Sequence, residues 1–346
     1  MAKKQLLHLF ISIIIVVVSL YYVFKSVSFT EFTDALRSMR YIYLLPAIFL
    51  VAVGYLVRAI RWRYLIAPIK EVKTVDLFSP LMVGFMGNML PARAGEVLRA
   101  YLLGKKENLS FSASFATIFI ERLFDMGFVL FLLFGVLIFE SKTFVIGDSG
   151  ETHQLMGYMV KFGWISFAGC LFIFLFSALL QYKNEWAMKA VELTTKPLPH
   201  KWVEKIVKLV NSFTQGLNII KDKKGFLATV FLSFLLWVIF VLMYYPLYFA
   251  FGIEGKLPVI SSLIILCVTI AIFITLFPTP GFLGSFQAAC VVALHEIFKI
   301  PKAVAASYGI VAWLVAMGFV VVVGSIFIIR ENISFTEFSV SKQEVE

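Results

Sequence analysis

Two short polar interruptions separate apolar stretches of the chain, and their residue types could bind a polar ligand. The first, residues 88–100, reads NMLPARAGEVLRA and has two arginines and a glutamate beside a proline and a glycine. The second, residues 277–287, reads FPTPGFLGSFQ and carries no charge. Irregular backbone at membrane depth persists only where it is buried in protein or lines a polar cavity. Because such breaks in both halves of a chain are typical of transporter binding sites, we expect function here.

The first break has the chemistry of a phosphate site. A helix beginning near Gly95 would offer free amides and the positive end of its dipole. The guanidinium groups of Arg93 and Arg99 match the geometry of a phosphodiester. Alternatively, both arginines could extend to the lipid headgroups as anchors. Glu96 favours a binding site, because a carboxylate near the membrane needs a partner.

The second break could present amides from a helix beginning near Gly281 or Gly284, or it could be a simple turn between spans. Two half-helix ends, one charged and one neutral, would together make an asymmetric pocket for a lipid headgroup. The residues predicted to bind that headgroup are Asn88, Arg93, Glu96, Arg99, Pro280, Gly281, Gly284 and Gln287.

A further group of charges, Glu121, Arg122 and Asp125, lies in the otherwise apolar stretch 111–139. Glu121 and Asp125 share a helix face, and Arg122 has the spacing to pair with Asp125. Charges at membrane depth cost at least about 2.5–3.5 kcal/mol each and normally face the interior, where they mark a pathway or relay. We predict an intramembrane charge network, net negative, that the net positive first break compensates across helices. A purely structural ion network is the alternative.

Three arginines end the second apolar stretch, in the sequence RAIRWRYLI. Arg58, Arg61 and Arg63, with Trp62, are interpreted as an anchor at the membrane interface.

The composition is that of an integral membrane protein. The chain is 60% hydrophobic, with a mean hydropathy of +0.91, whereas soluble domains are about 45–50% apolar. The net charge of +10 lies in loops beside apolar stretches, so we expect contact with lipid headgroups and no nucleic acid. The cysteines lie in apolar segments and are interpreted as small core residues. No nucleotide, metal or catalytic motif is found, so we expect no cofactor, no metal and no enzyme.

Apolar runs of about 20 residues cross a bilayer as helices. The runs that meet this rule are about 6–24, 41–60, 111–139, 158–180, 226–251, 259–277 and 303–329. Two shorter runs, about 75–90 and 281–298, adjoin the breaks and are interpreted as re-entrant half-helices, although either could cross. The predicted fold class is all-α, a polytopic membrane bundle of about 7–8 transmembrane helices plus one or two re-entrant half-helices.

Loop charge predicts the orientation. The positive-inside rule places the N-terminus and the loops at 61–110 and 181–225 in the cytoplasm of a multi-pass protein of the cell membrane. The first apolar stretch is read as a retained span and not as a cleaved signal. Residues 1–330 are predicted to form one integral membrane domain, and 331–346 a short polar tail. A basic amphipathic helix at about 201–221 would lie in the headgroup plane or pack on the bundle.

These motifs together resemble the flippase-like, lysylphosphatidylglycerol-synthase transmembrane-region family of bacteria and archaea. The residues that carry the resemblance are Arg61, Trp62, Asn88, Pro91, Gly95, Glu96, Arg99, Glu121, Arg122, Asp125, Pro278, Pro280, Gly281 and Gly284. The resemblance implies a polytopic helical domain that helps to move polar-headed lipids between leaflets. The synthases carry a cytosolic aminoacyl-transferase domain that has no counterpart in this sequence, so lysyl transfer is not expected. The sequence departs from the family pattern at Phe282, where a second glycine is common, and at Gln287, where a glutamate is common.

The sequence therefore favours a translocase for a polar- or anionic-headed lipid, a phospholipid or a polyprenyl-phosphate. The headgroup would enter between the two breaks while the acyl tails stay in the bilayer. Two alternatives remain open: a membrane-embedded transferase acting on such a lipid, and a non-catalytic membrane partner of a cell-envelope enzyme.

Overall fold

A computed structural model gives the architecture of the chain. It describes residues 2–89, 95–139 and 222–333, together with a few isolated positions between 164 and 219. Helices are the only regular elements in these ranges, as the sequence predicts. The predicted span at 158–180, the amphipathic helix at 201–221 and the tail from residue 334 lie outside what is described, apart from those isolated positions.

Eleven helices follow one another along the described ranges. They are α1 (Ala2–Phe24), α2 (Phe29–Arg37), α3 (Leu44–Ile66), α4 (Thr74–Gly87), α5 (Gly95–Glu107), α6 (Phe111–Phe139), α7 (Lys223–Leu242), α8 (Tyr245–Ala250), α9 (Val259–Leu276), α10 (Ser285–Val291) and α11 (Lys302–Arg330). Single 3-10 turns at Tyr41–Tyr43 and Pro280–Phe282 precede α3 and α10, and a π-helical turn at Val292–Ile297 extends α10.

Several of these helices are long and apolar enough to cross a membrane. Within the described residues there are four such segments, Tyr41–Ile66, Lys223–Ala250, Val259–Leu276 and Lys302–Arg330. A fifth is obtained if α1 and α2, which meet at 81°, count as one bent span. Large apolar side chains such as Phe49, Phe131 and Val322 lie on the outside of the bundle, as expected where the solvent is lipid.

The helices beside the two breaks are too short to cross alone. Helix α4 has 14 residues, and α10 has 7 before its π-helical turn, whereas a crossing helix needs about 20. These lengths agree with the half-helix interpretation of both segments.

Packing joins the two halves of the chain. Helix α3 packs along α7, α4 packs along α5, and α11 contacts both α4 and α10. Because α11 contacts the short helices of both breaks, it holds the two interruptions near each other. Cys267 and Cys290 are buried in the apolar core around α9 and α10, which confirms their interpretation as small core residues.

Candidate functional site

The two breaks are in direct contact. The amide of Gly281 donates a hydrogen bond to the carbonyl of Asn88 across 3.0 Å. The carbonyl of Gly281 in turn accepts from the indole of Trp313 on α11, at 2.7 Å. Gly281 has a φ of +58°, in the left-handed region where glycine has no steric penalty. The backbone irregularities of both halves are therefore joined at one place in the bundle.

Glycines allow the helices of the first break to approach closely. A Cβ on Gly95 would collide with the carbonyl oxygen of Gly84 and with the side chain of Asn88. A Cβ on Gly84 would lie 2.6 Å from the Cβ of Arg99. The described part of helix α5 begins at Gly95 and packs closely against α4 from that residue. Residues 90–94, and with them Arg93, lie outside the described ranges.

Glu121 is the central acceptor of a buried group of charges. Arg99 binds it through two parallel hydrogen bonds, with Nη1 at 3.1 Å from Oε1 and Nη2 at 2.7 Å from Oε2. Arg122 donates to Oε1 at 2.9 Å, and Nη2 of Arg61 lies 3.2 Å from the same oxygen. The side chains of Glu121 and Arg61 have no exposed surface. A bidentate arginine pair is among the strongest charge-assisted contacts, which fits a carboxylate held away from water.

Arg61 connects this group to Asp125 and to α7. Its Nη1 donates to Oδ1 of Asp125 at 2.6 Å and to Oγ of Ser233 at 3.0 Å. Nη1 of Arg122 lies 3.4 Å from the other carboxylate oxygen of Asp125, so the pairing predicted from their spacing is confirmed. Glu121 and Asp125 both contact Arg61, which confirms that they share one face of α6.

One end of the group is accessible from outside the protein. Nε of Arg122 lies 3.3 Å from Oε1 of Glu96, and the two side chains are 35% and 45% exposed. Two ion pairs therefore join the first break to α6, Arg99 with Glu121 and Arg122 with Glu96. The net charge of the break also depends on Arg93, which lies outside the described residues. We refer to the six residues as the charge network: Arg61, Glu96, Arg99, Glu121, Arg122 and Asp125.

An aromatic residue supports the buried end of the charge network. The guanidinium of Arg99 stacks on Trp62, 3.7 Å from the ring centroid, where the electron-rich face attracts a cation. The Trp62 indole donates to Oγ1 of Thr117 on α6 at 3.0 Å. Trp62 thus fixes Arg99 between its ring and the carboxylate of Glu121.

The interpretation of Arg58, Arg61 and Trp62 as an interface anchor is wrong. Helix α3 continues to Ile66, and these three side chains are buried inside the bundle. Only Arg63 is exposed, as an anchor would be. The signal that could have separated them is helical spacing, because positions 58, 61, 62 and 65 lie on one face of a helix and position 63 does not. Arg61 is the member of the charge network that the sequence analysis placed at the membrane interface, and it also donates to Ser233 on α7.

The two glycine amides of the second break, at 281 and 284, are already bound within the protein. Oε1 of Gln287, a residue only 1% exposed, accepts from the amide of Gly284 at 2.7 Å. The hydroxyls of Thr279 and Ser285 lie 2.9 Å apart across the same turn. A glutamate at position 287 could accept the same hydrogen bond, so the departure from the family pattern preserves this local contact. Pro280 begins the 3-10 turn that presents Gly281 to Asn88.

The backbone at Phe282 has a conformation that favours glycine. Phe282 has a φ of +62°, a conformation that costs an L-residue with a side chain roughly 1–2 kcal/mol. We therefore expect Phe282→Gly to be more stable than Phe282→Ala by about 1 kcal/mol, because both lose the ring but only glycine relieves the backbone. Thermal unfolding of the two purified variants measures the difference. If Phe282→Ala were as stable as Phe282→Gly or more stable, this backbone would not be held in the left-handed region.

The fold and the site together define a multi-pass helical membrane protein with a buried charge network beside two joined helix breaks. The chain belongs to the family described as the lysylphosphatidylglycerol synthase transmembrane region, whose model matches residues 9–324. This finding confirms the resemblance drawn from the motifs.

Similar proteins include several membrane proteins of archaea. A UPF0104 membrane protein of Methanothermobacter thermautotrophicus is 25% identical over 304 residues, covering 85% of this chain and 87% of that protein. One from Methanocaldococcus jannaschii is 33% identical over 129 residues, covering 33% of this chain and 52% of that protein. Glycosyltransferase AglD of Haloferax volcanii is 21% identical over 305 residues, which span 82% of this chain and 48% of AglD. No solved structure matches the chain.

Proposed function

We propose that the protein moves a polar- or anionic-headed lipid between the leaflets of the membrane. The observation that carries the proposal is the buried charge network next to the contact between Asn88 and Gly281. Charged groups at membrane depth are costly and normally mark a pathway for a polar solute. Membership of a family defined on the membrane region of a lipid-modifying enzyme supports a lipid as the partner.

In this proposal the headgroup enters between the two breaks while its acyl tails remain in the bilayer. Arg93 and Arg99 contact the phosphate, and Glu96, Glu121 and Asp125 hold the arginines in place. Arg99 is bound to Glu121 in this structure, so the headgroup shares or replaces that pair. The exposed pair of Arg122 and Glu96 lies on the route by which a polar group reaches Arg99. One of the carboxylates changes its protonation state during transport.

The proposal includes an orientation. The protein lies in the cell membrane as one integral domain of residues 1–330, with its N-terminus in the cytoplasm. The excess of lysine and arginine in the loops at 61–110 and 181–225 supports this orientation.

Dithionite quenching of fluorescently labelled phosphatidylglycerol in proteoliposomes tests the proposal. Wild-type protein should expose label from the inner leaflet, whereas protein-free liposomes should lose only the label of the outer leaflet. Arg99→Lys should slow the protein-dependent phase at least about tenfold, because lysine keeps the charge but cannot form the bidentate pair.

Arg63→Gln is the matched control, since Arg63 is an exposed arginine on the neighbouring helix. It should move lipid at the wild-type rate. Wild-type proteoliposomes that behave like protein-free ones would contradict translocation. Equal rates for the wild type, Arg93→Ala and Arg99→Lys would contradict the site.

The likeness to glycosyltransferase AglD supports a second candidate, a transferase acting on a phospholipid or polyprenyl-phosphate. The same arginines and carboxylates would then orient a phosphate and supply a base. Mass spectrometry of lipids recovered from the proteoliposomes separates the candidates, because transport leaves the lipid mass unchanged and transfer alters it.

A further inference from the structure

Arg58 is a buried cation that makes no ion pair among the described residues, although the carboxylates of Asp125 and Glu121 lie close enough to attract its charge. It lies on α3, one turn before Arg61, and is only 8% exposed. Three aromatic rings surround its guanidinium, with centroids at 4.4 Å for Phe85, 4.9 Å for Phe240 and 5.6 Å for Tyr55. Its Nε is buried and has no acceptor. The rings attract the positive charge, but they neither neutralise it nor satisfy five N–H donors.

The charges around Arg58 do not balance. The charge network pairs three arginines, at 61, 99 and 122, with its three carboxylates, at 96, 121 and 125. Arg58 adds a fourth guanidinium, so the described cluster has an excess of one positive charge. Burying an uncompensated cation at membrane depth is costly. What the cluster lacks is therefore one negative charge near Arg58.

We infer that Arg58 binds the oxyanion of a singly charged phosphate group, the chemistry of a phosphodiester headgroup. A phosphodiester supplies one charge and two oxygens that match the planar fork of arginine. Phe85 lies on α4, three residues before Asn88, and Tyr55 stacks on Phe319 of α11. Phe85 therefore links the site along α4 to Asn88 and the contact between the breaks. The inference that this phosphate belongs to a lipid rests on the proposed function, whereas the inference that Arg58 binds an oxyanion does not.

The first test measures stability without lipid. In delipidated detergent solution, Arg58→Met should melt at or above the wild-type temperature, because the substitution removes an uncompensated charge and keeps an apolar side chain among the rings. Arg61→Met should melt well below the wild type, because Glu121 and Asp125 lose a buried partner. Arg63→Met, on the exposed side of α3, should be neutral. A loss for Arg58→Met as large as that for Arg61→Met would overturn the inference, since Arg58 would then be structural.

The second test adds probes to the same delipidated proteins. Dioleoylphosphatidylglycerol should raise the melting temperature of the wild type and of Arg63→Met, whereas dioleoylglycerol, which lacks the phosphate, should not. The apparent affinity of Arg58→Met for the phospholipid should be at least about tenfold weaker, and Arg58→Lys should be intermediate. Equal stabilisation of the wild type and Arg58→Met by the phospholipid would overturn the site.

Inorganic phosphate distinguishes the sources of the oxyanion. If the phospholipid raises the melting temperature of the wild type, phosphate does not, and the effect is lost in Arg58→Met, a lipid headgroup at Arg58 is supported. If phosphate raises the melting temperature of the wild type, the phospholipid does not, and the effect is lost in Arg58→Met, the anion site is supported and the lipid source is rejected. Binding of phospholipid at Arg58 by a protein that moves no labelled lipid would reject translocation and leave the site intact. Labelled lipid moving at the wild-type rate in an Arg58→Met variant that no longer binds it would support the anion site and place it off the transport route.

Discussion

Glu121→Gln is expected to lower the free energy of unfolding by about 3–5 kcal/mol and to abolish protein-dependent lipid movement. Glutamine has the same shape, so no cavity forms and the effect isolates the charge. Arg61, Arg99 and Arg122 all contact this one carboxylate. A neutral amide, with one acceptor oxygen, leaves buried guanidinium groups without compensation. Denaturant titration in detergent and the dithionite assay measure the two effects.

Glu96→Gln is the control for that prediction. Among the described residues Glu96 makes one ion pair, at 3.3 Å to Nε of Arg122, and its side chain is 45% exposed. Exposed pairs contribute no more than about 1 kcal/mol, so this variant should remain close to the wild type in stability. If Glu121→Gln costs no more than Glu96→Gln, the interior of the charge network is hydrated and the pairs within it are weak.

Helix positions were predictable where the signal is local. The predicted start of α6 at residue 111 agrees with the structure, and Gly95, where the sequence predicts the start of α5, lies within that helix. Glycine positions and hydropathy affect helix boundaries within a few residues, so these boundaries can be predicted without knowing which helices pack against each other. The predicted end of the second span, at residue 60, was too early, because α3 continues to Ile66. The prediction ended the span early because hydropathy falls at the arginines of α3, although Arg58 and Arg61 are buried.

The contacts of the site were predictable only within one helix. Arg122 and Asp125 are three residues apart, and their pairing follows from helix geometry. Arg61 reaches Asp125 across 64 positions of sequence and Ser233 across 172. Composition cannot tell whether a guanidinium near a helix end extends to the headgroups or turns into the bundle. Only the packing of α3 against α6 and α7 decides it.

The contact between the two breaks also depends on packing that periodicity does not encode. Glycines of α11 lie against both short helices: a Cβ on Gly324 would lie 3.0 Å from the sulfur of Met86, and one on Gly309 would lie 3.1 Å from the Cβ of Cys290. Small residues let helices approach closely in membranes. In the sequence these are isolated glycines in an apolar stretch, and nothing near them indicates which helix they pack against.

Gly95→Ala is expected to destabilise the protein by about 3 kcal/mol and to slow lipid movement, because its Cβ collides with backbone that cannot rotate away. The carbonyl of Gly84 and the side chain of Asn88 occupy the space that the methyl group would need. Relief requires α5 to move away from α4, which shifts Arg99 relative to Glu121 and disturbs the carbonyl of Asn88 that binds Gly281.

Gly318→Ala is the matched control, a glycine-to-alanine change on α11 where a Cβ meets no atom within 4 Å. Alanine favours a helix over glycine by about 0.5–1 kcal/mol, so this variant should be slightly more stable than the wild type. Thermal unfolding should therefore shift downward for Gly95→Ala and slightly upward for Gly318→Ala. In the dithionite assay only Gly95→Ala should move lipid more slowly than the wild type. A Gly95→Ala protein as stable and active as Gly318→Ala would show that α4 and α5 have room to separate, and that the first break does not hold Arg99 in a fixed position against Glu121.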